Sequence, residues 1–153
     1  MSLESDIKLL SEVPLFDDLA GDQLRLLAFS ANRRDLVNGE ILFREGEEAG
    51  GGYVVVFGTI ELSTGAGEAR RMLERAGPGC LIGELPLFIA TRRRSTATAA
   101  GVATVLDISR PAMRRMLEEY PRVASSLHKR LAERVNTTIG ELRRVQAMLR
   151  RGD

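Results

Sequence analysis

Tryptophan is absent from the 153 residues, aromatics make up only 5%, and cysteine and histidine each occur once, as Cys80 and His128. One cysteine closes no internal disulfide, which agrees with a reducing cytoplasm, and its expected place is that of a small buried apolar residue. One histidine without clustered cysteines makes no metal set. It also assembles no Ser-His-Asp or Cys-His constellation, so the expectation is a protein that is not an enzyme and carries no metal or other cofactor. Apolar runs are short: "YVVVF" at 53–57 falls far below the span of a bilayer, so no membrane partner is expected. The acidic start "MSLESDIKLL" lacks the basic head and apolar centre of a signal peptide, so the expected location is the cytoplasm. There is neither a solenoid repeat nor a low-complexity linker.

What is present is a globular composition, with 28% charged and 44% hydrophobic residues and a formal net charge of +1. The length suits one domain plus some extra helix. Charge is unevenly spread. Residues 1–30 hold six acids (Glu4, Asp6, Glu12, Asp17, Asp18, Asp22) against Lys8 and Arg25, whereas 110–153 hold eleven of the 22 Lys and Arg against five acids. A basic tail could meet nucleic acid, but the solvated face of a helix is the commoner case.

The spacing of Leu3, Ile7 and Leu10 predicts a helix, Pro14 breaks it, and helix resumes from about Ala20 with Leu24, Leu27 and Phe29. Asp17 or Asp18 is a candidate cap for a short turn between them, and Asp22 stands near the second helix start. From Arg33 onward, runs of four to six β-formers alternate with turn signals such as Asn38-Gly39 and Pro78-Gly79, the pattern of an all-β sandwich, roll or barrel. "STATAAGVATVLDIS" reads as a further pair of strands around Gly101. After Arg110-Pro111 the period is helical again, with Pro121 restarting the helix in its first turn. His128, Leu131, Val135, Thr138, Leu142, Val145 and Leu149 step by three and four, a coiled-coil seam that favours a partner helix over packing on the helix's own domain.

The chemistry concentrates in "GELPLFIATRRRS", Gly83 to Ser95. Anion recognition needs a guanidinium and free backbone N–H groups, and a glycine permits close backbone approach. Glu84 would repel a bare anion, so its presence implies a ligand that also offers hydroxyl donors. A ribose phosphate fits.

These residues carry a resemblance. "IGELPLFIATRRRSTATA" resembles the phosphate-binding cassette of cyclic nucleotide-binding domains, and "NGEILFREGEEAGGGYVVVFGTIEL" is similar to that family's earlier β-roll, so that residues 10–120 or thereabouts are covered. The resemblance implies a mainly β fold with flanking α: an eight-stranded jelly-roll β-roll, or double-stranded β-helix, with N-terminal helices and a long C-terminal helix. Boundaries follow at 1–121 for the β-roll domain with its N-terminal helices and 122–153 for a dimerisation helix.

Carried over by position, the ligand-binding set is Gly83, Glu84, Leu85, Arg93, Arg94 and Ser95. Gly83 and Glu84 match the residues that contact the ribose 2′-hydroxyl. The cyclic phosphate falls to Arg93, nine residues after Glu84, or to Arg94, ten after and followed by Ser95; the length of the following strand region favours Arg93, and Arg92 is expected to face solvent. Pro86 departs from the family's usual alanine. It has no N–H to offer a phosphate oxygen, a loss of about 0.5–1.5 kcal/mol, or about three- to twelve-fold in affinity, if nothing compensates. At the base end, Thr137 and Thr138 on the last helix and Ser95 beside the arginines are the candidates.

The expected function is therefore a cyclic nucleotide sensor for cyclic AMP or cyclic GMP, standing alone without a helix-turn-helix domain and dimerising through its last helix. Nucleic acid is not expected as a partner, and the downstream protein partner is not named by the sequence. The alternatives are a DNA-binding regulator of the catabolite-activator type and a β-roll relic that has lost its ligand.

Overall fold

The computed structural model describes residues 2–133. Helix α1 (Leu3–Ser11) opens on a reciprocal cap in which the Ser5 N–H donates to Ser2 Oγ at 3.2 Å and the Ser2 N–H to Ser5 Oγ at 3.0 Å. A 3-10 turn at Pro14–Phe16 follows, then α2 (Gly21–Ser30), whose start is held by Gln23 Oε1 accepting from the Ala20 N–H at 2.7 Å. Neither Asp17 nor Asp18 starts the short turn, whose first cap is Val13; Asp17 closes it, its N–H donating to the Pro14 carbonyl at 3.2 Å. Asp18 instead accepts from the Ser126 hydroxyl and pairs with Arg130 at 3.4 Å, tying the N-terminal region to the last described helix.

Eight strands follow among the described residues: β1 (Asn32–Leu36), β2 (Ile41–Phe43), β3 (Glu48–Ala49), β4 (Gly51–Thr64), β5 (Arg71–Ala76), β6 (Leu81–Ile82), β7 (Thr91–Arg92) and β8 (Thr96–Ser109). All their pairings are antiparallel. The 14-residue strands β4 and β8 pair along their length and form the spine; β1 and β2 add to the far edge of β8, β5 and β6 to the far edge of β4, and β3 pairs with β7 apart from them. The region around Gly101 is thus one long strand, where the sequence spacing predicts two. The bend expected there is made within the ladder, whose register slips on either side of Phe57. Gly58 permits it: its φ is +82°, and a Cβ would come within 2.4 Å of the Val102 carbonyl oxygen.

Strand alternation sorts the spine into two apolar clusters. Val54, Leu106 and Ile108 point out of the roll and are covered by Leu10, Phe16, Leu27, Met113 and Met116 from the helices. Their neighbours Val55, Ala103 and Val105 point inward with Leu36, Phe43, Ile60 and Leu62. Helix α3 (Arg110–Glu119) is capped by Ser109, whose Oγ accepts from the Ala112 N–H at 3.2 Å, and carries Pro111 in its first turn. Tyr120 interrupts the helical run, and α4 is described over 121–133, restarting at Pro121. Its Leu127 is buried in the cluster beneath the helices.

Of the seam positions, His128 is exposed and Leu131 half-buried; Val135, Thr138, Leu142, Val145 and Leu149 lie outside the described residues, as does Thr137. Cys80 is exposed, contrary to its expected burial. Its backbone is what the fold uses: the Cys80 carbonyl accepts from the Val55 N–H at 3.0 Å in the turn before β6, and the thiol is left outward. Among the described residues no helix is long and apolar enough to cross a membrane.

Candidate functional site

The segment from Gly83 to Ser95 leaves β6, makes a 3-10 turn at Leu85–Leu87 and returns through β7 to β8. Gly83 turns the chain with φ +84°, and Glu84 is the residue that leads into the 3-10 turn. Pro86 is buried in that turn with its carbonyl accepting from Arg110 Nε at 3.0 Å. A second Arg110 donor, Nη2, is bonded to the Ala49 carbonyl, so one guanidinium at the start of α3 staples the turn to the chain entering β4. Pro86 therefore lacks an N–H for a ligand yet supplies the acceptor that anchors the turn.

The three arginines separate cleanly. Arg92 is exposed and donates to the Gly46 carbonyl at 2.9 Å, with Glu48 3.9 Å away. Arg94 is exposed at the rim of the cleft. Arg93 is 8% exposed and points inward. Its own backbone is clamped on both sides, the N–H donating to the Glu47 carbonyl and the carbonyl accepting from the Gly46 N–H, each at 2.8 Å. Arg93 follows directly on β7, and with its backbone fixed in this way its side chain is buried while those of Arg92 and Arg94 are exposed.

Inside, Arg93 Nη2 donates to the Gly51 carbonyl at 2.9 Å. The guanidinium carbon stands 4.2 Å from the Phe43 ring centroid and 5.4 Å from that of Tyr53, two rings stacked at 5.9 Å. Such cation–π contacts favour the charge in a partly dry site. Burial lowers the Arg93 pKa, opposed by Tyr53, Asp107 and Glu47. Asp107 is raised by burial, and Tyr53 is raised by burial and by Asp107. An arginine stays cationic under all these influences. Nε and Nη1 of Arg93 are buried and have no acceptor among the described residues. Nη1 lies against Gly83, where an added Cβ would stand 2.6 Å from it.

The cleft holding this guanidinium encloses about 490 Å³, and Gly83, Glu84, Leu85, Arg93, Arg94 and Ser95 all line it. The structure thus brings the whole sequence-derived set to one cleft, with Leu85 and Ser95 half-buried in its wall. It also adds residues that the sequence reading missed. Phe43 and Leu62 form the inner wall, Glu74 reaches it from β5, and Leu131 closes it from α4 of the same chain. Only tertiary pairing assembles these, although the aromatic in "ILFREG" ahead of a glycine turn was a visible signal for Phe43. A larger cleft of about 840 Å³ adjoins the first and shares Glu74, Leu81, Ile82 and Glu84 with it. Both its arginines are engaged, Arg75 with Glu61 and Arg130 with Asp18, so the buried cation singles out the smaller cleft for an anion.

An inward guanidinium with two unused donors, an apolar slot and a carboxylate beside the turn can hold an anionic ligand that carries hydroxyl groups. Comparisons with known proteins agree with that chemistry. The cyclic nucleotide-binding domain model matches residues 33–120. A solved cyclic nucleotide-binding-like protein from Brucella abortus is 43% identical, with 74% of this chain and 97% of that one covered and a TM-score of 0.68. The N-terminal domain of a transcriptional regulator from Streptomyces coelicolor is 32% identical, with coverages of 88% and 94% and a TM-score of 0.80. The cyclic AMP receptor protein of Thermus thermophilus is 31% identical over 130 residues, which are 84% of this chain and 60% of that protein. The chain spans 48% and 61% of the length of two further curated relatives, a helix-turn-helix-type regulator and a cAMP-activated global regulator of Mycobacterium tuberculosis. The match over residues 33–120, the β-roll and the cassette built around Gly83 and Arg93 together mean that this chain belongs to the cyclic nucleotide-binding domain family.

Proposed function

We propose that the cleft binds a cyclic nucleotide, cyclic AMP or cyclic GMP, and that the chain is a non-enzymatic sensor whose ligand-bound state is reported through α3 and α4. The observation that carries this reading is Arg93: a buried guanidinium with Nε and Nη1 lacking any acceptor among the described residues. Leaving donors of a charged group buried without a partner is costly, and a phosphate that accepts from them removes the cost. Glu84 lines the same cleft next to the turn and is the acceptor proposed for the ribose 2′-hydroxyl, with Gly83 allowing the sugar phosphate to approach the backbone. Arg94 and Ser95 at the rim supply secondary phosphate contacts, and Leu85 packs beneath.

The sensor acts in the cytoplasm, and its oligomeric state is a homodimer through residues 122–153. Reporting runs through contacts that join the cassette to the helices, since Phe88 meets the His128 ring edge-on at 6.0 Å and Leu131 lines the cleft. A thermal-shift titration tests the reading. At a ligand concentration a hundred times its Kd, stabilisation is about 2.7 kcal/mol, or roughly 5–10 °C in Tm for a chain of this size. No shift with either nucleotide at millimolar concentration would refute it and favour the relic.

A second reading, in which the module serves a DNA-binding regulator, is favoured by the names of its relatives, two of which are transcriptional regulators of Mycobacterium tuberculosis. Salt-dependent retention of duplex DNA by the chain would support it.

A further inference from the structure

Glu74 has no counterpart in the phosphate and ribose chemistry of the cleft, yet the sheet aims it there. Leu62 pairs with Glu74 across β4 and β5, and Ala97 pairs with Leu62 on one side and with Phe43 on the other. Residues directly opposite one another in a ladder project from the same face. Phe43, Ala97, Leu62 and Glu74 therefore form one row across four strands, all facing into the roll. Three inter-strand steps of about 4.8 Å put the ends of that row roughly 14 Å apart along the curved sheet. Arg93 sits over Phe43 at one end and Glu74 lies at the other. Leu62 lies between them and Leu131 faces the same cleft, an apolar slot for a flat ring.

With the phosphate on Arg93, the base of a mononucleotide laid along this row reaches Glu74. The Glu74 side chain has no hydrogen bond or ion pair among the described residues and is exposed to the cleft mouth. A carboxylate only accepts hydrogen bonds, through two oxygens side by side. Guanine presents N1–H and the 2-amino group side by side, two donors for two acceptors. Adenine presents its 6-amino group beside N1, which is itself an acceptor and is repelled by the second carboxylate oxygen. We infer that Glu74 reads the Watson–Crick edge of the base and makes this cleft select cyclic GMP over cyclic AMP.

This inference rests on the cyclic nucleotide reading and adds to it the identity of the base. A site built to hydrogen-bond a substrate group discriminates strongly against an analogue that mismatches it, because the site's own polar group is then left facing an acceptor.

Titration calorimetry with cyclic GMP, cyclic IMP and cyclic AMP on the wild-type chain and on Glu74→Gln tests it. Cyclic IMP keeps N1–H and lacks the 2-amino group. The expected order in the wild type is cyclic GMP tightest, cyclic IMP weaker and cyclic AMP weakest, with about ten- to hundred-fold between the extremes, the factor for one to two charge-assisted hydrogen bonds. Glutamine offers one acceptor and one donor, a match for adenine's edge, so Glu74→Gln should lose most of the cyclic GMP advantage while cyclic AMP binds as well as before or better. If cyclic GMP binds wild type and variant equally, the role of Glu74 is overturned and the nucleotide site stands. Cyclic AMP binding the wild type at least as tightly as cyclic GMP overturns it too. Failure of all three nucleotides to bind the wild type overturns both.

Discussion

Arg93 is the residue on which the site turns, and its neighbours explain why. Three arginines stand in a row, but only the middle one is buried, clamped through its backbone to residues 46 and 47 and laid on Phe43. Removing it should cost a ligand phosphate two charge-assisted hydrogen bonds, about 3 kcal/mol or more, and so about a hundred-fold or more in cyclic nucleotide affinity. Arg94→Ala should change affinity by no more than about three-fold, the scale of a solvent-screened contact. Calorimetric titration of the two variants compares them directly, and equal losses would mean a diffuse basic loop in place of one phosphate ligand. Gly83 shows the same economy of space. Its positive φ strains any other residue, and a Cβ would stand 2.6 Å from Arg93 Nη1, so a side chain there must displace the guanidinium.

Among the elements, the short 3-10 turn at Leu85–Leu87 depends on the start of α3 for its position. Arg110 donates to the Pro86 carbonyl at 3.0 Å and to the Ala49 carbonyl, and its own N–H donates to the Gly50 carbonyl at 2.8 Å. Arg110→Ala should free the turn without exposing the core. Hydrogen exchange of the Leu87, Phe88 and Ile89 amides should accelerate by about ten-fold, the factor for losing about 1.4 kcal/mol of local hydrogen bonding. If those amides exchange as in the wild type, the turn is held by packing of Leu87 alone. The same bonds couple α3 to the turn, since displacement of the turn must break them or carry the guanidinium along.

For the molecule as a whole, α4 joins the helices to the cleft. Within the described part it packs on its own domain: Leu127 is buried, Arg130 donates to the Pro14 carbonyl at 2.8 Å, and Leu131 lines the cleft. The remaining seam positions, Val135 to Leu149, are read from spacing alone, and an apolar stripe of that length is one that monomers avoid exposing. The chain should sediment as a dimer at tens of micromolar, and Leu142→Asp with Val145→Asp should yield monomer by placing like charges in the seam. A monomeric wild type would mean that the helix folds back over its own β-roll.

The fold class was legible because its signals are local. Helix spacing at Leu3, Ile7 and Leu10, breaks at Pro14 and Pro121, and glycine-punctuated β-runs are properties of neighbouring residues. The cassette was legible for the same reason, since Gly83 to Ser95 is one continuous stretch whose order carries its chemistry. The length of the following strand region favoured Arg93 over Arg94, but the inward turn of its side chain was not legible. That depends on the backbone clamp from residues 46 and 47, far away in the chain, which fixes Arg93 between β7 and β8. Nor was the place of Glu74, an ordinary charged residue in "RMLERA" until β5 pairs with β4 and puts it in a row with Leu62, Ala97 and Phe43. Cys80 failed in the other direction: its type favours burial, but the turn before β6 needs only its backbone. The sequence by itself therefore determined the family, the β-roll and a set of residues that line one cleft. Tertiary structure decided which of them face one another, because strand register is set by pairing between distant segments and a one-residue slip moves every side chain to the opposite face.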